Sequence, residues 1–440
     1  MSVNKYYFFN YILVTFFSIS LSLLPGFFSA FSYIFLFIIL LLDYKQAPIV
    51  FLNLALLILI NESISGAYLY AQFKYLIFFL FFIKSGFYFY KNFIKYKVVL
   101  SIFILYVLIV LHSFLFSYSL VFSVLKSTLW VTFVLSFILY FSRLDINERG
   151  KVLYGLYLAL ISFFYASSVL VFFPEIGYYL NGTGFQGLTN QPQVFGCISA
   201  LLGVISLMFY LNRNKFIYVL NFIFSLFFIY LSESRTAGLA LLFSSLILFF
   251  KLYSSFFLNK NKGDAVNISV ISTLFFGILT FIFINFNAFK SYIYKRNDSS
   301  FSSISDSSRG GLVDQMLLNL NNYWSTGIGF GIPSDFDFSN AVYAPIINVP
   351  ISLPIEKGVL FISIFEEFGV FFGMSVFLLI LFILFRNFWF NKNSYIILFI
   401  FASNISENTF FSVGGLGMLL TLFLCLSVSI SKRGCRNGFN

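Results

Sequence analysis

Eight basic residues of this 440-residue chain stand apart, because they fall on the opposite side of the apolar segments from the other lysines and arginines. They are Lys74, Lys126, Arg235, Lys290, Lys295, Arg296, Arg309 and Lys357. A cation within an apolar span is costly unless it faces water or an anion. Lys126, Arg235 and Arg309 share one side and predict a site for an anionic ligand. Arginine in particular suits bidentate contacts with phosphate.

Lys74 completes the predicted phosphate-binding set, and alternatives are open for three of its members. Lys74 and Lys126 lie within apolar runs, roughly 10–12 Å below the outer surface at ~1.5 Å per residue. A long lysine side chain can extend from such a position to the interface without binding a ligand. For Arg235, an ion pair with Glu233 is the alternative.

Carboxylates are the second group of candidate catalytic residues. Glu356 lies where a long polar segment gives way to an apolar run, a position that suits a general base. Pairing with the adjacent Lys357 is the alternative. Glu366 and Glu367 lie within an apolar run, so at least one of them is expected to face a protein interior or cavity. The only histidine, His112, is more typical of a buried, hydrogen-bonded residue than of a catalyst.

An uncharged polar segment at 181–193 is rich in glycine, amides and hydroxyls. Its Asn190, Gln191 and Gln193 suit the hydroxyl-covered surface of a sugar, and a plain turn-rich loop is the alternative. No catalytic triad or metal-ligand cluster can be assembled from the sequence. The three cysteines also lack metal-binding spacing, so no metal site and no cofactor are expected.

These residues must be positioned by apolar helices, because 60% of the chain is hydrophobic and only 10% is charged. A soluble domain carries about 25% charged residues. Recurring apolar runs predict an all-α polytopic membrane protein with about 14 transmembrane helices, within a range of about 12 to 14. The predicted spans are 6–24, 27–42, 47–61, 66–83, 98–116, 119–141, 152–173, 193–211, 216–232, 236–256, 266–286, 358–385, 394–405 and 409–430.

The distribution of basic residues predicts the orientation of these spans. Of the 27 lysines and arginines, all but the eight named above fall on the side that also holds both chain ends. Basic residues mark cytoplasmic loops, so the N- and C-termini are predicted to be cytoplasmic. The net charge of +11 is thereby explained by topology, and no nucleic-acid partner is expected.

Three regions follow from this topology. Residues 1–286 hold spans 1 to 11 with short loops, and 358–440 hold spans 12 to 14 and a short basic tail. Between them, 287–357 form one large outer loop. An apolar stripe at Leu312, Val313, Met316, Leu317 and Leu320 predicts a helix in this loop. The following sequence, Gly327-Ile-Gly329-Phe-Gly331, predicts a turn, since no strand-to-helix context supports a phosphate-binding loop.

Several segments, in their order along 181–430, resemble the bacterial O-antigen polymerase and O-antigen ligase superfamily. Ser234-Arg235-Thr236 resembles a signature of that family at the outer start of a span. Arg309, Trp324 and the glycines at 327–331 resemble the beginning of its large periplasmic loop. Further matching segments are Gly187–Gly196, Glu367–Gly373 (with one extra residue between its glycines), and Glu407-Asn408 followed by Gly414-Gly415.

The resemblance implies a GT-C-like, metal-independent glycosyltransferase of the bacterial inner membrane, with its active site facing the periplasm. Its substrate would be an oligosaccharide linked to undecaprenyl pyrophosphate. Arg235 and Arg309 match the family's phosphate-contacting arginines and are assigned to catalysis, with Glu356 as the general base. The implied pyrophosphate-binding set is Arg235, Arg309, Lys126 and Lys74, and the implied glycan-binding set is Asn190, Gln191, Gln193 and Glu407.

Family ligases typically carry a histidine at the end of the large loop, where this chain has Glu356. That difference favours a polymerase, with O-antigen ligase and lipid-linked oligosaccharide flippase or transporter as alternatives. A flippase is expected to line both leaflets with cations, whereas the cations here cluster in the outer half. The expected partners are the lipid-linked oligosaccharide, membrane lipid, and a chain-length regulator and flippase of the same pathway.

Overall fold

The computed structural model describes residues 2–92, 97–178, 183–259, 310–339, 341–343, 350–352, 357–390, 394–405 and 407–429. Within these ranges the regular structure is helical, apart from one antiparallel pair of short strands. The elements are α1 (Ser2–Ser22), α2 (Phe31–Leu42), α3 (Ala47–Ile58), α4 (Lys74–Asn92), α5 (Lys97–Phe116), α6 (Leu120–Arg143), α7 (Ile146–Ser168), α8 (Pro174–Gly177), α9 (Pro192–Arg213), α10 (Phe216–Leu231), α11 (Arg235–Asn259), α12 (Gly310–Asn322), β1 (Val342–Tyr343), β2 (Pro350–Ser352), α13 (Leu360–Phe390), α14 (Ser394–Ser403) and α15 (Gly415–Ser429).

Five helical segments among the described residues are long and apolar enough to cross a membrane. They are Gly66–Gly86, Leu120–Arg143, Ile146–Phe172, Pro192–Arg213 and Leu360–Phe382, and each coincides with a predicted span. Shorter apolar helices of 10–17 residues coincide with the other predicted spans, except for 266–286, which lies outside the described residues. These helices indicate a membrane-embedded protein, whereas the number of spans and their orientation stay predictions.

The chain divides into two compact units, which interleave along the sequence. Unit 1 comprises Met1–Ala159, Asp306–Asn391 and Asn404–Gly438. Unit 2 comprises Leu160–Ser305, Lys392–Ser403 and Phe439–Asn440. The three predicted regions were defined by topology, whereas these two units are defined by packing. The candidate site residues are divided between the two units.

In unit 1, α15 packs against α3 and α6, and α6 also packs against α4 and α5. An aromatic cluster holds three of these helices together. The ring centroid of Phe51 lies 5.6 Å from that of Phe78, 4.7 Å from Phe81, 5.6 Å from Phe133 and 5.0 Å from Phe137. Such separations are favourable for tilted and edge-to-face rings. Part of the large phenylalanine content therefore builds this core.

In unit 2, α9 packs against α10, α11 and α14. Helix α9 begins with Pro192 in its first turn, where the missing N–H costs nothing, and ends at Asn214 in the left-handed region (φ 50°). Phe185, Phe195 and Phe228 form its aromatic core, with ring centroids 5.1 to 5.8 Å apart. Phe185 belongs to the polar segment that precedes α9, so this core packs that segment against α9 and α10.

The helix predicted within the long loop is present as α12, which packs against α13. Its buried side differs from the predicted apolar stripe. Met316 and Asn319 are buried, whereas Leu317 is 47% exposed. The polar Asn319 faces inward because it contacts a buried carboxylate of α13, described below.

Candidate functional site

Helix α13 is interrupted at Gly369, whose φ of 67° and ψ of 175° lie outside the helical region. An interrupted helix leaves backbone carbonyls that need other hydrogen-bond donors. The N–H of Ile328 donates to the carbonyl of Glu366, and the N–H of Gly329 donates to the carbonyl of Glu367, each at 2.9 Å. The glycine-rich segment of the loop therefore completes the backbone hydrogen bonding of the broken helix.

Gly327 and Gly369 cross at close range at this point. A Cβ atom on Gly327 would stand 2.5 Å from the amide nitrogen of Gly369, and one on Gly369 would stand 2.5 Å from the carbonyl oxygen of Ser325. The N–H of Val370 donates to the carbonyl of Trp324 at 2.7 Å. The glycine-rich segment has the positive φ angles expected of the predicted turn. Its backbone is also hydrogen-bonded to α13 within unit 1.

A buried ion cluster lies on the same part of α13. Lys357 Nζ is 2.9 Å from Glu366 Oε2 and 3.0 Å from Glu367 Oε1, and the three side chains are at most 5% exposed. Asn319 Nδ2 donates to Glu366 Oε1 at 2.8 Å and to the carbonyl of Ser334 at 2.7 Å. One ammonium thus joins two adjacent carboxylates, and an amide on α12 holds one of them.

Lys357 precedes the apolar part of α13 and is charged in this setting. Burial alone lowers the pKa of its ammonium, but Glu367 and Glu366 outweigh that effect and hold the pKa above its ordinary value. The sequence had suggested the adjacent Glu356 as an alternative partner for Lys357. Glu356 and Arg309 both lie outside the described residues, so their assigned roles stay predictions.

Lys126 on α6 belongs to the same neighbourhood. The side-chain carbons of Lys126 cover the backbone of Gly331, where a Cβ atom would collide with Lys126 Cδ. Its ammonium is attracted by the negative charge of Glu367 and repelled by the positive charge of Lys357. The lysine that the sequence placed in an anion-binding set thus lies within electrostatic range of a carboxylate of α13.

Lys74, the other lysine of the predicted set, begins α4 in the same unit. A Cβ atom on Gly414 would stand 3.8 Å from Lys74 Nζ, so this lysine borders the segment before α15. That segment is tied to the glycine-rich one, because the rings of Phe330 and Phe411 lie 5.3 Å apart. Trp130, one turn after Lys126, donates from Nε1 to the carbonyl of Phe410 at 3.0 Å.

The polar patch that contains Glu407 folds against the beginning of α13. The N–H of Asn408 donates to the carbonyl of Lys357 at 3.2 Å, and Asn408 Nδ2 lies 2.6 Å from Ser363 Oγ. Glu407 is half-buried next to these contacts. The patch separating the last two apolar helices is therefore part of the same site as the ion cluster.

His112 on α5 is buried and hydrogen-bonded. Its Nε2 atom lies 2.6 Å from the carbonyl oxygen of Thr326. The imidazole packs against Phe116, Phe368 and Phe372, with ring centroids 5.1 to 5.6 Å away. This environment matches the structural role that the sequence favoured for it.

In unit 2, the polar segment before α9 packs against the turn between α10 and α11. The N–H of Phe185 donates to the carbonyl of Leu231 at 2.9 Å. Ser234 Oγ lies 3.5 Å from the carbonyl of Gln193. A Cβ atom on Gly196 would collide with the side chain of Ser234. Glycine at 196 therefore permits the close approach of the two segments.

Arg235 is the first residue of α11 and is half-buried. Its N–H donates to the carbonyl of Glu233 at 3.1 Å. Glu233 has a φ of 53°, which residues with a Cβ atom rarely adopt. Such backbone strain is often found at functional sites. The turn thus holds Arg235 at a fixed position at the start of its helix.

The predicted glycan-binding amides surround this turn. Gln191 and Gln193 are exposed, and Asn190 is half-buried. Among the described residues, Asn190 Oδ1 and both amide atoms of the fully buried Gln186 have no hydrogen-bond partner. Buried polar atoms of this kind ordinarily bind water or a ligand group. Gln186 was not selected from the sequence, although it lies within the polar segment that was.

The structure divides the predicted site residues between the two units. Unit 1 contains Lys74, Lys126 and Glu407, and unit 2 contains Arg235, Asn190, Gln191 and Gln193. Sequence reasoning anticipated that Glu366 or Glu367 would face the interior, and both are buried. It did not anticipate their partners, because Asn319 lies far from them along the chain.

Comparison with known proteins leaves the resemblance as a prediction from motifs. No protein-family model matches the chain, and no curated protein sequence matches it. The class defined by the structure is therefore a helical protein with several apolar helices of membrane-spanning length. Its activity is inferred below from the site.

Gly196→Ala is expected to displace the turn that carries Arg235. The added methyl group would collide with Ser234, and overpacking of this kind costs roughly 1–3 kcal/mol. The measurement is the midpoint of thermal unfolding in detergent, monitored by loss of the monodisperse chromatography peak. Gly238→Ala, where the nearest atom is 3.4 Å from the new Cβ, is the matched control. Equal midpoints for the two variants would contradict the packing described here.

Proposed function

We propose that this protein is a polysaccharide polymerase. It joins undecaprenyl-pyrophosphate-linked oligosaccharide repeat units at the periplasmic face of the bacterial inner membrane, as in O-antigen synthesis. One observation carries the proposal: two segments with the family resemblance, Gly327–Gly331 and Glu407-Asn408, pack in unit 1 against the broken helix that contains the third, Glu367–Gly373. These contacts bring the buried carboxylates of α13 and the polar patch at Glu407 into one neighbourhood, which supports a shared site.

The proposed reaction transfers the growing chain to the incoming repeat unit. A hydroxyl of the incoming unit attacks the anomeric carbon of the growing chain and loses its proton to a base. The bond from that carbon to the phosphate oxygen breaks, and undecaprenyl pyrophosphate leaves with the electron pair. Cationic side chains stabilise the charge that develops on the leaving group, and no metal is required. The candidates are Lys126 and Lys74 in unit 1, Arg235 in unit 2, and Arg309.

Polar side chains bind the sugars in this proposal. Asn190, Gln191 and Gln193 in unit 2 offer amides to glycan hydroxyls, and Glu407 in unit 1 offers a carboxylate. Two of these amides are exposed, and a third has an unpartnered oxygen, which supports this assignment. The proposed partners of the protein are a chain-length regulator and the flippase of the same pathway.

Arg235→Ala is expected to abolish polymer formation in a strain that lacks the chromosomal gene. Loss of one charge-stabilising group lowers turnover by about 10²–10³-fold. The measurement is the lipopolysaccharide ladder, with membrane expression of each variant verified, and Arg309→Ala and Glu356→Gln are compared alongside. Arg213→Ala, at the end of α9 on the predicted cytoplasmic side, is the control and is expected to restore the ladder.

The band pattern separates the candidate functions. A deletion strain that retains core plus one repeat unit, unrescued by Arg235→Ala, supports the polymerase. Loss of all glycan from the core, including the single repeat, points to a ligase or a lipid-linked oligosaccharide flippase. A full ladder with all three site variants would overturn the site assignment.

A further inference from the structure

Glu366 and Glu367 are adjacent in the chain, but their carboxylates have different surroundings. Both oxygens of Glu366 are engaged, one by Asn319 at 2.8 Å and the other by Lys357 at 2.9 Å, and its side chain is fully buried. Glu367 uses only Oε1, at 3.0 Å from Lys357, and its side chain is 5% exposed. Among the described residues, Lys357 is the ion-pair partner of Glu367, and its close contact is with Oε1 rather than Oε2.

Oε2, the oxygen that the Lys357 contact leaves aside, belongs to a carboxylate whose position is fixed. Its backbone carbonyl accepts a hydrogen bond from Gly329 at 2.9 Å, and the break at Gly369 follows two residues later. Lys357 holds the other carboxylate oxygen. A carboxylate held by one oxygen and open at the other is suited to accept a proton from a bound hydroxyl.

Lys126 supplies a complementary charge within electrostatic range of this carboxylate. Its ammonium interacts electrostatically with Glu367, and its side-chain carbons are held against Gly331. A phosphate group near Lys126 and a hydroxyl at Glu367 are the two polar partners that glycosyl transfer from a lipid pyrophosphate must bring together. The described part of unit 1 therefore contains one group for each.

We propose that Glu367 is the general base of the transfer, in place of Glu356; this rests on the proposed polymerase function. Glu367 Oε2 accepts the proton of the acceptor hydroxyl as its oxygen bonds to the anomeric carbon. The bond from that carbon to the pyrophosphate oxygen breaks, and its electron pair leaves with undecaprenyl pyrophosphate beside Lys126. Lys357, Glu366 and Asn319 are positioning residues, because they hold the carboxylate and do not meet the substrate.

The test uses the full-length protein in lipid nanodiscs with a purified lipid-linked repeat unit. The initial rate of polymer formation is measured over a range of substrate concentrations for the wild type, Glu367→Gln, Glu367→Asp, Glu366→Gln and Glu356→Gln. Loss of a general base lowers the rate by about 10²–10⁴-fold. Glu367→Gln is expected to show this loss with KM nearly unchanged, and Glu367→Asp is expected to recover part of the rate. Both Glu367 variants keep a polar group for Lys357.

Glu366→Gln separates catalysis from structure. It is expected to lower the thermal midpoint at least as much as Glu367→Gln does, with a much smaller loss of rate. The pH–rate profile adds a second measurement: the acid limb of the wild type is expected to disappear in Glu367→Gln, and a purely structural role would leave it in place.

The outcomes distinguish the two proposals. Absence of polymer with the folded wild type would overturn both the polymerase function and the role of Glu367. Polymer from the wild type, with Glu367→Gln at the full wild-type rate, would overturn the role of Glu367 alone. A large loss of rate in Glu356→Gln, without one in Glu367→Gln, would also overturn the role of Glu367 and leave the polymerase function in place.

Discussion

Replacing Lys357 with methionine is expected to cause the largest loss of stability of any single charge substitution in unit 1. The ammonium is the counter-ion of two adjacent carboxylates that are at most 5% exposed. Its removal would leave two like charges buried together without the ion pair that joins them. Breaking a buried ion pair in this way costs about 3–5 kcal/mol. The expected result is a large fall in the thermal midpoint or a loss of folded protein from the membrane fraction.

The measurement is fluorescence-detected size-exclusion chromatography after heating, with Lys151→Met as the control. Lys151 is an exposed cation on α7. Its loss is expected to change the free energy of unfolding by no more than about 0.5 kcal/mol, so the midpoint stays close to that of the wild type. A triple variant, Lys357→Met with Glu366→Gln and Glu367→Gln, removes all three charges and is expected to recover much of the stability. If Lys357→Met has the same thermal midpoint as the wild type, the ion cluster has no structural role.

The second large effect is expected from Gly369→Ala. Alanine at a φ of 67° is strained, and its Cβ atom would stand 2.5 Å from the carbonyl oxygen of Ser325 and 2.8 Å from the amide nitrogen of Thr326. These neighbours are backbone atoms, so the crossing cannot be relieved by rotating a side chain. Backbone strain and overpacking each cost about 1–3 kcal/mol, so the combined loss is roughly 2–6 kcal/mol.

Gly311→Ala is the matched control for this substitution. Gly311 lies on α12 in the same unit, and no atom lies within 4 Å of its added Cβ. Thermal midpoints and trypsin resistance of the two variants are compared in the same detergent. Gly369→Ala is expected to melt well below Gly311→Ala and to lose polymer formation as well. Similar midpoints would mean that the two glycines do not cross as described.

The helical framework could be predicted because its signal is local. Apolar runs of spanning length mark the helices directly, and a carboxylate within such a run must find an interior partner. On that basis at least one of Glu366 and Glu367 was expected to face the interior, and both are buried. The identity of their partners was not, because Lys357 reaches them across the beginning of α13 and Asn319 comes from another helix. Sequence spacing alone carries no information about such contacts.

The glycine-rich segment illustrates the same limit. The three glycines predicted a turn, and their positive φ angles agree with that. Their close approach to α13 depends on the break at Gly369, and a lone glycine in an apolar run does not specify a break. The predicted common site for Lys126 and Arg235 was based on depth in the membrane. Depth places both in one leaflet but does not say which compact unit each one joins.

The crossing of Gly327 and Gly369 has a consequence for how such a protein can diversify. Residues 327–334 are buried within unit 1, whereas Asp335, Asp337 and Ser339 are exposed. Residues 327–334 and the first turns of α13 therefore form one packed block, and neither segment can be replaced without the other. Beyond Ser334, where Asp335, Asp337 and Ser339 are exposed, this packing no longer constrains the sequence. A recombinant loop graft that cuts at the edges of the loop would divide that block.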